Sequence, residues 1–114
     1  MPVLTIHTNV ELNLIIGSDL LKKASGLVAG LLSKPEGYVL VRIEGSKAMS
    51  FAGSSDPLAY LELKSIGFPK AKAAEISKSL CDLMQNELGI AANRTYIEFS
   101  NAEGSMWGWN GATF

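Results

Sequence analysis

Few side chains of this 114-residue sequence are placed to do chemistry, and the first stands at its start. Pro2 follows Met1, and a residue this small allows the initiator methionine to be removed, which would leave a free secondary amine before the apolar Val3-Leu4. An N-terminal amine titrates near ~8, and apolar surroundings or a nearby cation would lower that value and make it a neutral base. On its own, Pro2 reads more simply as a start that processing tolerates. Lys34, just before Pro35, stands where a helix should end, a position that welcomes any solvated cation. His7 falls in an apolar, β-branched run and reads as a surface or packing residue. Cys81 lies between Leu80 and Leu83 and reads as an inert buried thiol. There is no nucleotide-binding glycine fingerprint, Walker lysine loop, paired histidine for zinc or nucleophile elbow. Neither a metal nor a cofactor is expected.

Composition bounds what these residues can be part of. The length suits one domain spanning 1–114, with a thin core because a chain this small leaves much of its surface exposed. With 47% hydrophobic residues, 18% charged and a mean hydropathy of +0.19, the chain is too apolar for disorder and rich in apolar groups for a small monomer, which hints at an oligomer. A net charge of -1 offers no basic field for phosphates or anionic lipid, so nucleic acid is not an expected partner. The single cysteine cannot form an internal disulfide, which points to a reduced compartment. The opening MPVLTIHTNVE lacks a basic segment followed by a long apolar run, and no stretch approaches the ~20 apolar residues of a membrane span. A cytoplasmic protein is expected, with export lacking a signal peptide left open.

The elements that would hold these residues follow from periodicity. Pro2 to Thr8 reads as a strand. From Ser18, with Ser18 and Asp19 as caps, Leu20, Leu21, Ala24, Leu27, Val28, Leu31 and Leu32 recur at helical spacing until Pro35 stops them. Tyr38 to Glu44 alternates Val39, Val41 and Ile43 against Leu40, Arg42 and Glu44, as a strand does. Residues 48–57 form a turn-rich connector. Leu58 to Ile66 reads as a strand ending at Gly67; a helix runs from Pro69 through Ile76, Leu80, Leu83, Met84 and Leu88 to Gly89; Thr95 to Phe99 makes a further strand. The tail is aromatic and turn-rich, with Trp107, Trp109 and Phe114 among glycines. Shifted by 56 residues, the two halves overlay, Pro2 on Leu58 and Val41 on Ile97. Two strand-helix-strand units in tandem imply right-handed crossovers, hence an α+β two-layer sandwich: a four-stranded mixed sheet with both helices on one face. The other face needs cover, and copies of the same chain would supply it.

Several dispersed segments carry a resemblance over essentially the whole chain. They are Pro2 with Thr8-Asn9-Val10, Lys34-Pro35 with Tyr38, Phe51-Ala52-Gly53-Ser54-Ser55-Asp56-Pro57, Ser65-Ile66-Gly67, Asn93-Arg94 with Tyr96-Ile97, and Gly108-Trp109-Asn110 before Thr113-Phe114. In this order and spacing they resemble the macrophage migration inhibitory factor family, with its D-dopachrome tautomerase branch. The resemblance implies a homotrimer with sites between subunits: Pro2, Lys34, Ser65 and Ile66 from one chain, Tyr96 from its neighbour. It further implies that the Pro2 amine moves a proton between carbon and oxygen of aromatic α-keto acids such as phenylpyruvate, and acts on dopachrome-type substrates, without a cofactor. Lys34 would bind the substrate carboxylate and favour the neutral amine, while Tyr38, Trp107, Trp109 and Phe114 would wall the pocket.

Two departures from the family pattern stand out. Glu98 occupies a position where mammalian members carry an asparagine facing the substrate, so its charge would oppose an acid substrate or raise the amine pKa. Where some relatives have a Cys-x-x-Cys pair, this chain reads Leu58-Ala59-Tyr60-Leu61, which gives no ground for thiol oxidoreductase activity. The alternative to an enzyme is a cytokine-like binding module that engages an unidentified receptor and keeps the pocket as an inheritance. A purely structural trimer would leave Pro2, Lys34 and Ile66 without a reason to occur together.

Overall fold

The computed structural model describes all residues 1–114. In chain order it contains β1 (Val3–Thr8), α1 (Leu14–Leu32), β2 (Leu40–Glu44), β3 (Ala59–Ile66), α2 (Ala73–Leu88), β4 (Thr95–Ala102) and a terminal pair, β5 (Gly108–Trp109) and β6 (Ala112–Thr113). The main sheet has the order β2-β1-β3-β4: β1 runs parallel to β2 and antiparallel to β3, and β3 runs parallel to β4. The α+β class, the mixed four-stranded sheet and the two tandem units are those expected from the sequence. Neither helix is long and apolar enough to cross a membrane.

Alternation along the strands assigns the two faces. Leu4 and Ile6 of β1 and Leu61 and Leu63 of β3 are fully buried beneath the helices. Leu20, Ala24, Val28 and Leu32 form the inward stripe of α1; Ile76, Leu80, Leu83 and Met84 form that of α2. Each full-sized aliphatic side chain removed from water in this layer stabilises the fold by about 1.5–3 kcal/mol. The opposite face carries Thr5, His7, Arg42, Glu44, Tyr60, Glu62, Lys64 and Glu98, and it is more polar than a face awaiting an ordinary apolar cover. His7 stacks on Tyr60 at 5.7 Å and lies 3.3 Å from the Glu44 carboxylate, so it is a packing residue of this face.

Element edges differ from the periodicity reading in several places, among them the second helix, which starts at Ala73 rather than Pro69 because Lys70–Lys72 form a separate 3-10 turn. The first helix begins at Leu14, because the Asn13 side chain accepts the Ile16 N–H at 2.8 Å; Ser18 and Asp19 lie inside the helix. Glu36–Tyr38 forms a short 3-10 turn, so β2 starts at Leu40. β4 runs on to Ala102, held by its parallel register with β3 through Ile66. Asn110 and Gly111, with φ of 53° and 77°, close the β5–β6 hairpin, the left-handed pair that tight hairpin turns demand. Cys81 is only partly buried, and burial together with the Asp82 charge raises its thiol pKa despite a hydrogen bond to Ser77.

Candidate active site

The N-terminus is anchored from both sides. Leu40 donates its N–H to the Pro2 carbonyl at 3.0 Å, and the Pro2 ring is fully buried. On the other side, the antiparallel register ends with Val3 opposite Lys64; carried one and then two steps further, it sets Ser65 across from Pro2 and Ile66 across from Met1. Ser65 is buried, its hydroxyl donating to the Ile66 carbonyl at 3.3 Å.

Lys34 reaches this end of the sheet through the end of α1. Ser33 adopts a left-handed conformation, φ 52°, and the Lys34 N–H turns back to the Ala29 carbonyl at 3.0 Å, after which Pro35 prevents any further turn. The residue after the helix is thereby fixed beside the terminus. Burial, and then the positive charge of Lys34, lower the pKa of the terminal amine below its ordinary value. That amine belongs to Met1; loss of Met1 would transfer it to the more deeply buried Pro2.

An apolar pocket of about 380 Å³ opens against the terminus, lined by Met1, Val3, Tyr38, Leu40, Trp107, Trp109 and Phe114 among others. Its aromatic wall is built by contact: Tyr38 meets Trp109 and Phe114 edge-on at 5.5 and 6.1 Å, and Trp109 stacks on Phe114 at 5.6 Å. The β5–β6 hairpin presents Trp109, and the Phe114 N–H donates to the carbonyls of Gly104 and Trp107. A Cβ at Gly104 would stand 3.1 Å from the Phe114 carbonyl oxygen, so a larger residue there would push the tail back by a few tenths of an ångström.

Of the residues singled out from sequence, Pro2, Lys34, Ser65, Ile66, Tyr38, Trp107, Trp109 and Phe114 gather at this end of the molecule. Tyr96 and Glu98 do not. Tyr96 pairs with Tyr60 in β4, five positions from the Ser65 end of β3, or about 16 Å along the strand. Its ring is 66% exposed and touches Phe51. Glu98 accepts a hydrogen bond from the Tyr60 hydroxyl at 3.4 Å and lines a groove of about 600 Å³ on the open face with Thr5, Glu62, Lys64 and Trp107. Partial burial, followed by the Glu62 and Glu98 charges, raises the Tyr60 pKa. Val3 and Leu40 were not anticipated as pocket walls; both lie on the open face in neighbouring register, which the strand alternation alone could have shown.

The whole chain, residues 1–114, matches the family model described as macrophage migration inhibitory factor. A macrophage migration inhibitory factor homolog from Brugia malayi is 48% identical, covering 100% of this chain and 99% of that protein. The solved structure of the factor from Trichinella spiralis superposes with a TM-score of 0.91 at 41% identity, covering 98% of this chain and 99% of that one. A homologue from Prochlorococcus marinus superposes equally well, 0.91 at 37% identity, with 98% of each chain covered.

Proposed function

The chain belongs to the macrophage migration inhibitory factor family, within the tautomerase superfamily fold, and from that premise we propose that it is a keto-enol tautomerase acting on phenylpyruvate-like α-keto acids and dopachrome-type substrates. Family membership supports an isomerase kind of reaction; the substrate and the base are our reading. The observation that carries it is the terminal amine, whose pKa is lowered by burial and by Lys34 at the mouth of an aromatic-walled pocket. With Met1 removed, the neutral Pro2 amine takes a proton from the carbon next to the substrate carbonyl as the enolate forms, then returns it to oxygen to give the enol. Lys34 binds the carboxylate, and Tyr38, Trp107, Trp109 and Phe114 enclose the ring. A weak base held dry and close to a carbon acid is what such a transfer needs.

Tyr96 and Glu98 complete the reading only if they come from another copy. Tyr96 stands about 16 Å along the sheet from the Ser65 end, Glu98 faces the adjoining groove rather than the aromatic pocket, and large side chains such as Leu14, Leu40, Tyr96, Met106 and Trp109 remain exposed in the lone chain. We therefore take the working assembly to be a homotrimer with sites between subunits, Glu98 bringing a charge that opposes an anionic substrate. Mature protein should begin at Pro2 by intact mass, and Pro2→Gly should lose about 100-fold or more in kcat for phenylpyruvate with its circular dichroism unchanged. Retained Met1 alongside full activity would sink the mechanism.

A further inference from the structure

We infer that Arg94 is a positioning residue for the Tyr96 wall of the site, acting through the loop at 51–57; the inference rests on the tautomerase reading for its kinetic consequence. Arg94 ends the turn Ala92–Arg94 just before β4, two residues from Tyr96 in sequence. It makes no ion pair. Its donors go instead to the carbonyls of one loop: Nε to Pro57 at 3.0 Å, Nη1 to Phe51 at 3.1 Å, and Nη2 to Ser54 and Asp56 at 3.1 and 3.0 Å. A planar fork of five donors can satisfy four carbonyls at once; a lysine ammonium, with three donors on one atom, cannot span them.

Asn9 also holds the far half of this loop, donating to the Ser55 carbonyl at 2.8 Å and accepting the Leu58 N–H at 3.0 Å, but at the Phe51–Ser54 turn the side-chain donors are those of Arg94. Phe51 and Ser54 exchange two backbone hydrogen bonds, 2.9 and 3.0 Å, around Ala52 and Gly53, both left-handed at φ 53° and 73°. Ala52 is strained there, so the turn persists because its surroundings hold it. The held loop presents the Phe51 ring, which lies 5.4 Å under the guanidinium and 4.7 Å from the Tyr96 ring. Tyr96 is 66% exposed in the single chain, and Phe51 is the aromatic ring of its own chain that packs against it, tilted at 55°. Arg94 thus sets the loop, the loop sets Phe51, and Phe51 sets Tyr96.

Phenylpyruvate kinetics on Arg94→Lys, Tyr96→Ala and the double variant test the chain of contacts, with the Tyr96 ring resonances read by NMR. Arg94→Lys should raise KM about fivefold while kcat stays within about twofold, and should add nothing further once Tyr96 is alanine. The Tyr96 ring signals should move in Arg94→Lys, whatever the activity. Unmoved ring signals, an unchanged KM beside a raised KM for Tyr96→Ala, or full additivity in the double variant would each overturn the inference and leave the tautomerase reading intact. If Tyr96→Ala itself leaves KM unchanged, the kinetic part of the inference fails because Tyr96 lies outside the site, and the failure then belongs to that reading. Should Arg94→Lys not fold, Phe51→Leu keeps every carbonyl bond of Arg94. It is expected to raise KM in the same way, and an unchanged KM overturns the inference.

Discussion

The two strand-helix-strand halves share a scaffold and part company at one residue. At the offset of 56, Val3 falls on Ala59, Leu32 on Leu88, and the left-handed Ser33 on the left-handed Gly89, so strands begin and helices end at equivalent places. The next residue is Lys34 in one half and Ile90 in the other. Ile90 is fully buried and continues the core, whereas Lys34 is half-exposed and lowers the pKa of the terminal amine. The same turn thus delivers a side chain either into the core or toward the pocket. Two equivalent turns serve different ends: one keeps a core contact through Ile90, and the other gives it up and sets a cation near the terminus.

Exchanging the two residues breaks the comparison in opposite ways, and the larger effect lies on the core side. Ile90→Lys would bury a cation with no partner in the surrounding aliphatic core, where a lysine pKa falls by several units. That costs about 4 kcal/mol of stability at neutral pH. The sign can be checked. A lysine whose folded pKa is lowered contributes its penalty below its unfolded value and sheds it as pH rises toward ~10.4, so urea titrations should find a smaller loss at high pH than at neutral pH. A loss independent of pH would mean that shape, not charge, sets the cost.

The reverse exchange should leave the fold standing and weaken the chemistry. Lys34→Ile removes the proposed carboxylate anchor, and on that proposal KM for phenylpyruvate should rise about tenfold, or about 1.4 kcal/mol. It also removes the lesser of the two causes that lower the amine pKa. The acidic limb of kcat/KM against pH, which rises as the amine loses its proton, should therefore shift upward in the variant. If burial acts on the Pro2 amine as it does on that of Met1, the greater cause remains and the limb should still lie below the ordinary ~8 of a free terminus. A limb that did not move would show that Lys34 is too well solvated to act on the amine.

What could be read from the sequence and what could not divide along the same line. Helices and strands were legible because Leu20, Ala24, Val28 and Leu32, or Leu61 and Leu63, repeat at the spacing their surroundings impose. The start of α1 was not, since Leu14, Ile15 and Ile16 are consecutive and exposed, forming no inward stripe, and the cap that fixes the boundary is one asparagine oxygen. The Asn110-Gly111 pair did announce its hairpin, in a tail read only as turn-rich. Around the candidate site, Pro2, Lys34 and the tail aromatics were singled out through family resemblance, and the fold brings them to one end of the sheet. The work of Arg94 was illegible because its four acceptors are main-chain carbonyls some 40 residues away, as in its bond to Ser54, and any residue types could have supplied them.

The smallest expected effect sharpens the comparison at the turn itself. Ser33 and Gly89 both sit at positive φ, 52° and 66°, but only glycine does so without a steric penalty, since a Cβ crowds the carbonyl in the left-handed region. No side-chain hydrogen bond of Ser33 offsets this; its N–H reaches back to Gly30, a contact that any residue would make. Ser33→Gly should therefore stabilise the chain by about 0.5–1 kcal/mol, a gain moderated by the greater freedom of glycine in the unfolded state. Gly89→Ala should destabilise by a similar or larger amount; no atom crowds a Cβ there, so the cost would be purely that of φ. Since Lys34 is held by the Ala29 carbonyl and Pro35 rather than by the Ser33 side chain, Ser33→Gly should raise the melting temperature and leave KM for phenylpyruvate unchanged. A raised KM at raised stability would mean that the strained serine holds Lys34 in place, and that the active half of the fold retains strain the core half has shed.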